Sequence, residues 1–204
     1  MPQPSSALFD RLKRVFDEGH GVELPDLRDD ARFAPAEIRP AAVLIAVTDR
    51  ADPGVLLTHR PETMRAHPGQ VAFPGGKLDP GEDAVAAALR EAREELGIEP
   101  ESVRVIGASD RFVTGSGFDV TPVLGLIPPD LPIRPDPREV SGWFEAPLRF
   151  ILDEANQVQK IGEFRGFERP YLEIDWRGHR IWGVTAAIIH NLSRRLAWRE
   201  LVDG

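Results

Sequence analysis

The chain contains no cysteine. That excludes a disulfide framework, a thiolate metal site and a cysteine nucleophile, and it permits a reducing compartment. Long apolar runs are missing as well: none approaches the ~18 residues needed to cross a bilayer. The first residues, Met1-Pro-Gln-Pro-Ser-Ser, lack the basic stretch followed by an apolar one that marks a secretory signal. The expectation is a cytoplasmic protein with no membrane partner. Positive charge is scarce beside negative, with 25 Lys and Arg against 33 Asp and Glu and a net charge of −8. The basic footprint of a nucleic-acid-coating protein is absent, so no nucleic-acid partner is expected. A small polyanionic ligand stays compatible, because carboxylates that first hold divalent cations can then hold phosphates.

What is present is an ordinary globular composition, 42% hydrophobic and 28% charged, in 204 residues, enough for one sizeable core. Leu8, Phe9, Leu12, Val15 and Phe16 recur at helical spacing over residues 5–18, and Gly19 and Gly21 end the pattern. Residues 22–40 are polar, dotted with proline, and read as an irregular lead-in. The expected division is a helix and lead-in over 1–38, packing on a domain over 39–204. Short β-branched runs predict strands over 41–48 and 55–58; residues 71–74 are briefly extended, and Gly75-Gly76 breaks the pattern. Residues 82–96 carry the strongest helical pattern, stopped by Gly97. Strands follow over 103–112 and 118–127, then a proline-rich loop over 128–137 with no regular structure open to it. Residues 143–144 read as a strand end and 148–156 as a short helix. A hairpin about Arg177-Gly178 joins 171–176 to 180–182, and 184–201 is a final helix. No repeat and no linker between two compositions is visible, so the interleaved elements predict one α/β domain with a mixed sheet.

The chemistry concentrates in Gly76-Lys-Leu-Asp-Pro-Gly-Glu82-Asp-Ala-Val-Ala-Ala-Ala-Leu-Arg90-Glu91-Ala-Arg-Glu94-Glu95-Leu-Gly97-Ile98. On a wheel advancing ~100° per residue, Val85, Ala88, Leu89, Ala92 and Leu96 form a core stripe. Glu91 and Glu95 lie one turn apart on its flank, over the small Ala84 and Ala88, and Glu94 lies further around toward solvent. Like charges at this spacing repel by a few tenths of a kcal/mol in water, and by more beside a packed core. Two readings of the pair are open. One is a solvated face with Arg90 and Arg93 pairing locally; the other is a seat for a hard divalent cation, Mg2+ or Mn2+, among carboxylate oxygens. Glu82 is open in the same way. Asp79-Pro-Gly-Glu82 has the form of a capping box with proline at the first helical position, and Glu82 is also a partner for Arg90 that would buttress the site.

The whole segment resembles the Nudix box, Gly-x5-Glu-x7-Arg-Glu-U-x-Glu-Glu-x-Gly-U, with U small or apolar, here Ala92 and Ile98. Chance agreement at its fixed residues is expected on the order of once in a million chains of this length. The resemblance implies a Nudix α/β/α sandwich with a mixed β-sheet, the box forming a loop, helix and loop over that sheet, and hydrolysis of a diphosphate linkage. It implies metal ligation by Glu91 and Glu95, commonly by Glu94, and by the backbone carbonyl of Gly75, the residue before the box. A diphosphate is shielded by its own charge and has a poor leaving group, and bridging cations address both problems. No arrangement of Ser, Thr or His signals a covalent nucleophile, so direct attack by water is expected, with a carboxylate taking its proton. Candidates for that base are Glu94 or Glu95 and, outside the box, Glu139, which is otherwise an exposed acid at the end of the proline-rich loop.

Upstream, Leu56-Leu57-Thr58-His-Arg60-Pro61, then Arg65, Gly69 and Phe73-Pro74-Gly75-Gly76, resemble the extra signature of the coenzyme A pyrophosphatase branch of that superfamily. Pro61 departs from it, standing where Ser or Ala is usual. Glu139-Val140 and Gly178-His-Arg-Ile-Trp182-Gly183-Val-Thr185-Ala186 look like the same branch, so the resemblance runs from about Arg39 to about Leu196. It implies hydrolysis of coenzyme A and its derivatives to 4'-phosphopantetheine, or its acyl form, and adenosine 3',5'-bisphosphate. Such a substrate carries a 3'-phosphate, for which Arg60 and Arg65 offer bidentate donors; each otherwise pairs with surface acids. His67 contacts substrate or caps a turn, and Gly75 and Gly76 complete the expected substrate-binding set. His20, His59, His179 and His190 show no ligand spacing, and Trp143, Trp176, Trp182 and Trp198 either stack adenine or pack in the core. Rival readings are a Nudix enzyme for ADP-ribose or a dinucleoside polyphosphate, and a ligand-sensing domain without turnover, against which the intact Glu91, Glu94 and Glu95 count. A DNA-binding module built on residues 5–18 is disfavoured by the net charge. Nothing marks an oligomer interface; a monomer or homodimer is expected.

Overall fold

In the computed structural model, which describes residues 6–63, 69–164 and 166–196, the first helix begins where the sequence supplies a cap. Ser6 accepts a hydrogen bond from the Phe9 N–H at 3.1 Å and opens α1 (Ala7–His20). Its buried face is Leu12, Val15 and Phe16, set against β5 (Arg104–Ala108) and α4 (Val184–Arg195).

The main sheet is organised about β1 (Arg39–Thr48), which runs parallel to β7 (Phe118–Ile127) from Arg39 opposite Phe118 to Thr48 opposite Ile127. A strand flanked on both edges and covered on both faces reads as a continuous apolar run, which is why Ala41 to Thr48 was legible as a strand. The other pairings are antiparallel. β1 pairs with β2 (Gly54–His59) and β4 (Gly75–Lys77); β2 pairs with β3 (Val71–Ala72) and β8 (Gly142–Pro147); β7 pairs with β5 and β6 (Phe112–Val113). The sheet is therefore mixed.

Alternate residues of β1 serve opposite layers. Ala42, Leu44 and Ala46 pack with Leu56 and Val123 beneath Ala87, Ala88, Ala92 and Leu96 of α2 (Ala84–Leu96). On the other face Ile45 and Val47, with Val55 and Leu57, meet Leu12 and Phe16 of α1, Ile151 of α3 (Leu148–Leu152), and Ile188 and Leu192 of α4. Helices on both faces make the α/β/α sandwich that was expected. Each fully buried aliphatic side chain in these layers contributes about 1.5–3 kcal/mol relative to exposure. A second, antiparallel sheet of β9 (Val158–Phe164), β10 (Phe167–Trp176) and β11 (His179–Trp182) adds Leu172, Ile174 and Ile181 to the α4 layer.

Several elements differ from the sequence expectation. Gly75-Gly76 does not break the pattern; with Lys77 it forms β4, the two glycines opposite Val43 and Ala42. Residues 142–147 are a full strand rather than a strand end, and β9 was not anticipated. The predicted 103–112 strand is divided into β5 and β6, with an irregularity between Val105 and Gly107. The helix expected over 148–156 ends at Leu152, and a short 3-10 turn covers Glu154–Asn156. The helix expected from residue 82 starts at Ala84, because Asp83 rather than Asp79 accepts from a first-turn amide, Ala86 N–H, at 2.8 Å. Residues 197–201 of the expected final helix lie outside the described residues. Among the described residues no helix is long and apolar enough to cross a membrane.

Candidate metal centre

Helix α2 presents its alanines to the sheet and its acids to one side. Ala87, Ala88, Ala92 and Leu96 are fully buried, Glu95 is buried beside them, and Glu91 is half-buried one turn earlier. The small residues let the helix settle close to β1 and β4, so the two carboxylates lie low against the sheet. Beneath them sit the two glycines. A Cβ on Gly76 would fall inside van der Waals contact of the Glu91 carboxylate, and one on Gly75 would lie 2.6 Å from the Val43 Cα and closer still to the Ala42 carbonyl oxygen. Gly75 instead offers its N–H to the Glu95 carboxylate.

The third acid arrives from a distant loop. Residues 128–141 carry no helix or strand, and their backbone is satisfied partly by the end of α2: Arg134 N–H donates to Leu96 O at 2.8 Å and Asp136 N–H to Glu95 O at 3.0 Å. These are carbonyls that a helix C-terminus leaves without an internal partner. Capping them brings Glu139 to the flank of α2. One carboxylate oxygen each from Glu91, Glu95 and Glu139 lies within 4.8 Å of the others.

Three acids so close oppose one another's ionisation. The Glu95 carboxyl is pushed up to about 8, mainly by burial, then by Glu91 and Glu139, against the Gly75 N–H and the nearby Arg60. Glu91 is raised too, first by burial, with Arg90 pulling the other way and Glu94 and Glu139 adding to the rise. One Glu95 oxygen, Oε2, is buried with no hydrogen-bond partner. An orphaned carboxylate oxygen beside two further carboxylates is a donor set of hard oxygens only. It fits a hard divalent cation such as Mg2+ or Mn2+, which takes oxygen ligands and neutralises the repulsion.

Arg90 organises the outer side. It donates to both Glu82 oxygens at 3.0 Å, to Glu91 Oε1 at 2.9 Å, to Glu94 Oε2 at 3.1 Å and to the Lys77 carbonyl at 2.9 Å. Glu82 thus braces Arg90, and it also accepts from the Asp79 N–H at 2.9 Å; the half of the capping box that it completes belongs to a turn before the helix. Arg93 pairs with Glu99, away from the cluster.

Of the residues singled out in the sequence, Glu91, Glu95, Glu139, Gly75 and Gly76 come together. Arg60 joins them: its charge bears on Glu95, and its buried Nε has no hydrogen-bond partner. Glu94 does not join them, since it is half-exposed and held by Arg90. Arg65 and His67 lie outside the described residues. One further contact has no counterpart in the sequence pattern. His59 Nε2 and His179 Nδ1 are 2.9 Å apart, with the His179 ring stacked on Phe144 at 3.8 Å, joining the end of β2 to β11. Residues 120 positions apart leave no local signal of such a pair.

The family model described as the NUDIX domain matches residues 38–174. Among similar proteins, the Uncharacterized Nudix hydrolase NudL of Cronobacter sakazakii is 44% identical over 160 residues, covering 78% of this chain and 83% of its own length. That of Escherichia coli K12 matches with the same identity and coverage. Among solved structures, the Nudix hydrolase RenU of M. smegmatis is 20% identical with a TM-score of 0.50, covering 82% of this chain and 85% of its own, a likeness of fold.

Proposed function

The chain belongs to the Nudix family, and from that premise we propose that it hydrolyses the diphosphate linkage of coenzyme A and its derivatives, releasing 4'-phosphopantetheine (or its acyl form) and adenosine 3',5'-bisphosphate. The observation that carries the reaction class is the carboxylate cluster of Glu91, Glu95 and Glu139 with its unpartnered Glu95 oxygen. The branch-like run from Leu56 to Gly76 supports the choice of substrate.

Nudix hydrolases generally use divalent metal ions. Mg2+ or Mn2+ held by Glu91, Glu95 and Glu139, with the Gly75 carbonyl as a further donor and Glu94 toward a second ion, would offset the charge of the diphosphate and acidify water. The chain's own groups do the rest. Arg60, whose charge bears on Glu95, suits two phosphate oxygens of the scissile linkage. Gly75 and Gly76 keep side chains out of the space beneath the carboxylates. Glu139 takes the proton of the attacking water at a carboxylate oxygen, the new P–O bond forms, and the bridging oxygen leaves on the other phosphate. Glu139 suits this role better than Glu94, which Arg90 already engages.

One observation favours a second reading. The charge of Arg60 bears on Glu95, which supports a role for it at the diphosphate itself and leaves recognition of a 3'-phosphate to Arg65. A Nudix enzyme for ADP-ribose or a dinucleoside polyphosphate needs Arg60 just as much. Steady-state kinetics on coenzyme A, its 3'-dephospho form and ADP-ribose, each with Mg2+ and Mn2+, separate the two. Coenzyme A should exceed the other two by about tenfold or more in kcat/KM, the effect of a charge-assisted contact. Equal rates with and without the 3'-phosphate would remove the coenzyme A assignment and leave the diphosphatase. Turnover of none, with Mg2+ still bound, would favour the ligand-sensing alternative.

A further inference from the structure

We propose that Trp143 is the stacking surface for the planar base of the nucleotide substrate. The inference rests on the reading of the chain as a nucleotide diphosphatase and adds to it the residue that recognises the base.

The Trp143 side chain stands at the protein surface, 41% exposed. The register of β8 on β2 fixes which way it faces. Phe144 lies opposite Leu57 and both belong to the core beneath α1 and α4, so Trp143, opposite Thr58, stands on the other face of the sheet. That face carries Leu56, Val140 and α2, and therefore Glu91 and Glu95. Thr58 and Arg60, two residues apart on an extended stretch, share it. The extended pairing continues past the end of β2, since Arg60 N–H donates to Gln70 O and Gly69 N–H to Arg60 O. From a rise of ~3.4 Å per residue and a strand spacing of ~4.8 Å, Trp143 and Arg60 are roughly 8 Å apart at their Cα atoms. A ribose phosphate bridges such a gap, with its base on the indole and its phosphate at the arginine. Glu139 precedes Trp143 by four residues, and Ser141, between them, donates to the His59 carbonyl at 2.9 Å, so the loop acid and the ring are tied to the same strand end.

A partner protein is a poor occupant. The neighbours of Trp143 on its face of the strands are Thr58 and Leu56, both buried, and Glu145, which accepts from Thr48 at 2.6 Å, so no exposed apolar side chain on these strands extends the ring into a patch. One isolated ring beside a phosphate-binding arginine suits one planar base.

The test uses the full chain with Trp143→Ala and Trp143→Phe, and adenosine 3',5'-bisphosphate as a metal-free probe followed by calorimetry and tryptophan fluorescence. Trp143→Ala should weaken the bisphosphate by on the order of tenfold and raise KM for nucleotide diphosphates to match, with kcat within about twofold. Trp143→Phe should restore most of the affinity while losing the fluorescence quench. A dialkyl diphosphate, which has no base, should be indifferent to both substitutions. Thermal melts should coincide with the wild type, since the ring is on the surface. Unchanged bisphosphate affinity in Trp143→Ala overturns the proposal, and so does a wild-type chain that binds no adenine nucleotide. Absence of turnover in a chain whose nucleotide binding still depends on Trp143 defeats the diphosphatase reading alone.

Discussion

Replacing Glu95 by Gln should stabilise the metal-free protein while removing its activity. Glu95 has an ordinary carboxyl value of 4.5, and in the folded chain it is pushed up to about 8 by burial and by Glu91 and Glu139. Between those two values the folded chain keeps a proton that the unfolded chain has released, so stability must fall as pH rises through that window. Each tenfold drop in proton concentration withdraws about 1.4 kcal/mol, so at pH 7 Glu95 costs roughly 3 kcal/mol. Glutamine keeps the shape and can still accept from the Gly75 N–H, but each amide N–H that the Glu91 and Glu139 oxygens do not accept is buried unpaired, a cost of about 1–3 kcal/mol. At pH 8 the cost of Glu95 has grown to about 4 kcal/mol, so the net gain there is about 1–3 kcal/mol, and it vanishes or reverses below pH 5. Urea unfolding in EDTA at pH 4.5, 6 and 8, on wild type and variant side by side, measures it. The difference between the two curves is the quantity to read. His59 and His190, whose values burial lowers, titrate in both proteins and slope the opposite way, adding stability as pH rises. Saturating Mg2+ should lift the wild type at pH 8 and leave Glu95→Gln unmoved, and turnover in the variant should drop by orders of magnitude. A variant whose stability falls with pH as steeply as the wild type, or one that Mg2+ still protects, would refute both the buried charge and its assignment as a metal ligand.

The glycines and the arginine around the cluster give two further contrasts. Gly75→Ala should cost about 1–3 kcal/mol or more, because its Cβ meets backbone on β1 that cannot move aside; Gly76→Ala should melt near the wild type yet need a higher Mg2+ concentration for half activity, because its Cβ displaces the Glu91 carboxylate. Thermal melts set against Mg2+ titrations of turnover separate the two, and equal loss of stability in both variants would contradict the geometry. Arg90→Leu should lower stability, since it takes from Glu82 and Glu91 the cation they share. Arg90→Lys should recover only part of this, because one ammonium cannot span both Glu82 oxygens and the Lys77 carbonyl; full recovery in urea unfolding would show that charge alone matters there.

What was legible in the sequence was whatever a single element decides. One helix sets Glu91 and Glu95 on the same flank and turns Glu94 outward, and 3.6-residue periodicity is enough to see it. The β1 and β7 runs were legible because burial on both faces leaves an unbroken apolar string. β4 was not, because Gly75 and Gly76 have no strand propensity and are extended only by pairing with Ala42 and Val43. β9 was not, because it pairs only with β10 and leaves Val158 and Ile161 largely exposed, so no core face appears as an alternation. Glu139 was legible as an acid after a proline-rich loop, and its convergence on the helix was not, because that depends on hydrogen bonds from Arg134 and Asp136 to the last carbonyls of α2. The residues that satisfy the helix end are thus the ones that deliver the third carboxylate. Stability of the helix and completeness of the cluster rest on the same backbone contacts, so the loop's lack of regular structure is itself part of how the site is built: a helix there would have turned those N–H groups to its own carbonyls, leaving Glu95 O and Leu96 O without donors and Glu139 without the contacts that carry it to α2.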